Sequence, residues 1–222
     1  MGASVLQIYN RALNLVGTRS DLSGISELSR EGELCRLWYG SIRQEVLAAA
    51  HWSCAKDVAE LSLLASRDMD AWTAGQPMPP WYYAYGRPSS FIHPRYLTDY
   101  TSFEMARHGS ENAVLTNSAR PILVFTRDET ETGLWDEVLV KSVYFGLAAR
   151  LAYPLTGSRS KARALLEEAN MQIMLSRQVD ANVSVQNFES MPDWMIARGV
   201  SGPSNPNRYI YPVGALLVDN VG

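Results

Sequence analysis

The sequence is poor in the residues that metal and redox chemistry draw on. It holds two cysteines and three histidines among 222 residues. Cys35 and Cys54 are too few for a disulfide framework and fit reduced thiols in a cytosolic setting. A closed zinc site needs about four ligands at fixed spacing. His51, His93 and His108 form no H-x-H or H-x-x-x-H pair, and the H-x-x-C formed by His51 and Cys54 has no second pair downstream. No metal and no small-molecule cofactor is therefore expected. The chain also lacks G-x-S-x-G, G-x-G-x-x-G and G-x-x-x-x-G-K-[ST]. "TGSRSKAR" resembles a phosphate loop only in composition and reads as a turn with a helix cap. No residue is assigned a catalytic role.

An excess of positive charge is absent too. Twenty Lys and Arg face 23 Asp and Glu, for a net charge of -3 and a pI near 5.7. That excludes a domain-wide phosphate-binding footprint. The opening "MGASVLQIYNRALNLVG" has neither the basic start nor the apolar centre of a signal peptide. No apolar run approaches the roughly 18 residues of a membrane span, so no membrane partner is expected. What is present is enough apolar material for a core: 46% apolar against 19% charged residues.

Periodicity predicts a helix over residues 4–17, with Ser4 and Gln7 as a capping box and Gly17 as its stop. A second helix is predicted over about 27–50, on a stripe of Leu34, Cys35, Trp38, Ile42, Val46 and Ala49. "WSCAKDVAELSLL" reads as extended, and 65–80 as a loop. The runs "WYYAYG", "SFEMA", "AVLT" and "PILVFT" read as short strands, with "RHGSEN" as a hairpin turn. Helix returns near Thr132, with Trp135, Val138, Leu139, Ser142, Phe145, Ala149 and Ala152 on one face and Pro154 as its end. Ser158 caps a further helix to about Val179 that carries Ala162, Leu165, Leu166, Ala169 and Ile173. A helix–turn–helix of this kind predicts an antiparallel pair.

The expected fold class is thus α+β and mainly α. It comprises an antiparallel bundle of an N-terminal and a C-terminal helix pair (1–51 and 130–182). A β-rich lobe is inserted at 52–129, and an extended C-terminal arm occupies 183–222. That arm lacks periodicity yet keeps Trp194, Tyr209, Ile210, Tyr211, Leu216 and Leu217, side chains that gain stability only by docking on something.

Two stretches concentrate chemistry. "RDETETGLWDE" puts five acids around Trp135. They could serve acid–base work, but acids ahead of a helix also suit its positive end. "WYYAYGRPSSFIHP" packs aromatics beside Arg87 and His93. Burial in a strand-rich core or at a subunit interface accounts for it, and Trp81, Tyr83, Tyr85 and Arg87 are its candidate interface residues. Two other readings stay open. One is a single-stranded nucleic-acid binder that stacks bases on the aromatics of 81–96. The other is a small enzyme drawing on Asp128, Glu129, His93 and Arg87.

The order of elements carries a resemblance. A helix closed by Gly17 leads to a second helix and "AAAHWSCAKDVAEL". A proline-rich gap and "WYYAYGRPSSFI" follow, then "PILVFTRDETETGLWDEVLV" and an Ala-rich helix ending at "PLTGS". Over about residues 4–180 this resembles the head-to-tail adaptor family of short-tailed phages, the tail tubular protein A-like proteins. The matching positions are Trp52 with Ala55; Trp81 with Tyr83, Tyr85 and Pro88; Asp128 with Trp135 and Asp136; and the turn from Ala148 to Ser158. Cys54 stands where the family has Phe, and Ser89 and Ser90 where an Asp is common. The resemblance implies a homo-oligomeric ring, a dodecamer, between the portal protein and the tail nozzle protein. It implies a place in the virion tail after assembly in the host cytoplasm. Genomic double-stranded DNA would pass through the lumen without sequence-specific contacts, and there would be no enzymatic activity.

Overall fold

Polar caps set where the helices begin. The computed structural model describes residues 2–18, 21–68 and 72–183. In α1 (Val5–Val16) the Ser4 hydroxyl accepts from the Gln7 N–H and the Gln7 side chain accepts from the Ser4 N–H; Gly17, at φ 80°, closes it. α2 (Arg30–Ala49) starts later than its apolar pattern predicts, because Ser29 caps it through the Gly32 N–H. β1 (Lys56–Glu60) and β2 (Leu63–Ser66) come next. They are followed by β3 (Tyr83–Gly86), β4 (Phe91–Leu97), β5 (Phe103–His108), β6 (Glu111–Thr116) and β7 (Ile122–Arg127). α3 (Glu137–Thr156) begins at Asp136, whose carboxylate accepts from the Leu139 N–H at 2.7 Å. Residues 132–134, predicted as its first turn, form a separate 3-10 turn. α4 (Arg159–Val183) follows Ser158, whose hydroxyl accepts from the Lys161 N–H.

Pro154 does not end α3. It sits in the last turn, where its missing N–H removes one hydrogen bond near the helix end, and the chain leaves the helix at Gly157, φ 68°.

All seven strands of the described residues lie in the region predicted as a lobe, but they form two sheets. Both are antiparallel, with orders β1-β7-β4 and β2-β3-β6-β5. Their facing sides trap Leu97, Leu123 and Phe125 against Tyr85 and Val114, with Leu61 at the margin. The three-stranded sheet turns its other side to α2. The stacking is therefore helices, sheet, sheet. The "RHGSEN" turn is a two-residue hairpin between His108 and Glu111, with Gly109 at φ 61° in its first position.

β4 is the strand missing from the sequence pattern. Pro94 lies in its middle, which argues against a strand. The fold tolerates it because β4 is an edge strand with register shifts on either side of Pro94, between Phe91 and His93 and between Pro94 and Tyr96.

The expected class, mainly α with two helix pairs, is corrected. About 44% of the described residues are helical and 22% are strand, and two of the three layers are sheets. The helices do not pair as predicted either. α3 is the central helix and packs on both α1 and α2. It buries Leu139, Val140, Val143, Leu147, Ala148, Leu151 and Ala152, side chains spread around its circumference rather than along one stripe. α4 buries Ala169 and rests Ala162, Leu165 and Ile173 against the helical core, while Leu166 on the same predicted face is 49% exposed. The same all-round apolarity makes α3 long and apolar enough to cross a membrane by length and composition, contrary to the sequence expectation; half of it is buried inside this fold. The predicted arm, 183–222, lies outside the described residues except for Val183, the last residue of α4.

Two glycines show how tightly the helical layer is set. A Cβ on Gly146 of α3 would stand 3.0 Å from the Ile42 Cγ2 of α2, whereas one on Gly40 of α2 would meet nothing within 4 Å. Gly146→Val is expected to lose about 1–3 kcal/mol through overpacking. Gly40→Ala is expected to gain about 0.5–1 kcal/mol of helix stability. Urea melts of the two variants test the pair, and equal shifts would refute the assigned crossing point.

Candidate functional site

Trp52, Asp128 and Trp135 lie where the helical layer meets the first sheet. The chain crosses that boundary twice, after α2 and before α3, and each crossing is pinned by a tryptophan. Trp52 is 2% exposed and donates its indole N–H to the Val46 carbonyl at 2.8 Å. Trp135 is 4% exposed, and its indole N–H has no hydrogen-bond partner among the described residues. Between them runs a polar clasp. Arg43 of α2 grips Asp128, just past β7, with Nε on Oδ1 and Nη2 on Oδ2, both at 2.9 Å. Gln44 donates to the same carboxylate at 3.0 Å. The Arg43 guanidinium also lies over the Tyr39 ring, 5.7 Å from its centre. Burial alone would raise the Asp128 pKa. The hydrogen bonds from Arg43 and Gln44, with the Arg43 charge, overcome it and hold the carboxyl below its ordinary value.

Arg95 of β4 makes a second clasp. Its Nη2 donates to the Trp52 carbonyl at 2.6 Å and its Nε to the Thr126 hydroxyl at 3.1 Å. The sequence reading assigned no role to Arg43, Gln44 or Arg95. Arg43 lies 85 residues from its acid, so no local motif could mark it.

The aromatic stretch is divided between two faces. Tyr83 and Tyr85 point between the sheets, with ring centres 6.1 Å apart, and Tyr85 is 3% exposed. The Tyr85 hydroxyl donates toward the Ser118 and Ala119 carbonyls at 3.0 and 2.9 Å. Phe91 stacks on Phe125 in the same interior, and the exposed Arg87 lies over Phe91, 5.1 Å from the ring centre. Trp81 is on the opposite face of the four-stranded sheet, where it donates to the Glu104 carboxylate at 2.8 Å. Beside it runs an open groove of about 400 Å³, walled by Met78, Pro79, Trp81, Glu104, Arg107 and His108. The aromatics of 81–96 thus form no continuous platform on which successive bases could stack.

The four residues of the enzyme reading are not focused on one cavity. Asp128 is held by Arg43 and Gln44. Glu129 is buried, accepts from the Glu131 N–H at 2.9 Å and lies 3.5 Å from the Arg127 Nε. His93 is exposed on β4, its ring centre 6.3 Å from that of His51. Asp136 and Glu137, the last two of the run's five acids, stand at the start of α3. Among the described residues no three His, Cys, Asp or Glu side chains are placed to hold a metal ion. Both cysteines are free thiols; burial pushes Cys35 up to about 12 and Cys54 up to about 11, far from thiolate reactivity at neutral pH. Trp194, Tyr209, Ile210, Tyr211, Leu216 and Leu217 lie outside the described residues.

Protein-family models and curated proteins offer no match to this chain.

Proposed function

We propose that the chain is a structural subunit of a head-to-tail adaptor ring in a short-tailed phage. The ring joins the portal protein to the tail nozzle protein and encloses the passage for genomic double-stranded DNA. One observation carries the reading. Among the positions that carry the resemblance, Trp52 with Ala55 and Asp128 with Trp135 and Asp136 lie at the junction of the helical layer and the first sheet, while Trp81, Tyr83 and Tyr85 lie on and within the β region. The first group supports the reading as an architectural pattern. The balance of charge suits a conduit as well, since each Lys or Arg on a phosphate anchors DNA that has to slide. In this reading the protein acts by holding shape, in the virion neck, after assembly in the host cytoplasm.

The C-terminal segment is the proposed assembly arm. Every buried core side chain of the described residues precedes residue 170. Deleting residues 187–222 is expected to leave the melting transition of the folded chain in place and to abolish stable joining to the portal. The check is co-sedimentation of full-length and shortened protein with purified portal. Undiminished joining by the shortened chain would overturn the arm, and loss of folding would place the segment in the subunit core. Closed rings of the full chain on the portal, seen by electron microscopy, test the adaptor reading itself.

A further inference from the structure

We draw no further inference here: the strongest candidate, the open groove beside Trp81 on the outer face of the four-stranded sheet, walled by Met78, Pro79, Glu104 and His108, carries nothing because nothing in the structure shows what covers it.

Discussion

Trp52→Ala is expected to lower stability by about 3–5 kcal/mol, the loss for a fully buried large aromatic. The indole fills the boundary between the helical core and the first sheet, and its N–H satisfies the Val46 carbonyl near the end of α2. Truncation opens a cavity and removes that hydrogen bond. Phenylalanine separates the two losses. Trp52→Phe keeps most of the apolar volume but removes the indole hydrogen bond, so a loss of about 0.5–1.5 kcal/mol is expected. Trp135→Phe removes an indole N–H with no partner among the described residues, so it should cost less than Trp52→Phe. Urea unfolding at constant m-value measures all three. Equal costs for the two phenylalanine variants would refute the hydrogen-bond assignment, and a parent-like Trp52→Ala would refute the burial.

Asp128→Ala should be the most disruptive single change to the joint after the tryptophan, at about 3 kcal/mol, the low end for breaking one side of a largely buried pair. The side chains of Arg43 and Asp128 are 14% and 21% exposed, so removal of the acid leaves a guanidinium with little water to replace it. The pair also imposes a pH dependence. The folded-state pKa of Asp128 lies below its unfolded value of about 3.9. The unfolded state therefore binds more protons between the two values. The clasp contributes fully above the unfolded pKa, and its contribution is lost as pH falls through the folded one. Asp128→Asn, which cannot titrate, should flatten the stability profile below about pH 4. A profile as steep as the parent's would show that other carboxylates govern acid unfolding.

Much of the local structure was readable because its causes are local. Ser4, Gln7 and Gly17 are within one helix of each other, and their capping bonds need no other part of the chain. The hairpin at Gly109 is set by two turn residues. Pro94 and Pro154 misled for the complementary reason. Each has a local preference that its surroundings override, an irregular sheet edge for the first and the last turn of a helix for the second.

The sequence by itself determined the helix caps, the turn chemistry and the presence of a strand-rich region. Each follows from hydrogen bonding and patterning over a few residues. Only the tertiary structure decided that α3 is surrounded rather than paired, that the strands divide into two sheets, and that Asp128 clasps Arg43. It also separated Trp81 from Tyr83 and Tyr85. Strand alternation would put 81, 83 and 85 on one face; Trp81 departs from it because it precedes β3, which begins at Tyr83. In β3 Tyr85 faces the other sheet, while Ala84 packs with Ala113 and Leu115 on the far side, where Trp81 rests. Aromatic residues satisfy either side, so their pattern along the chain does not distinguish core from groove.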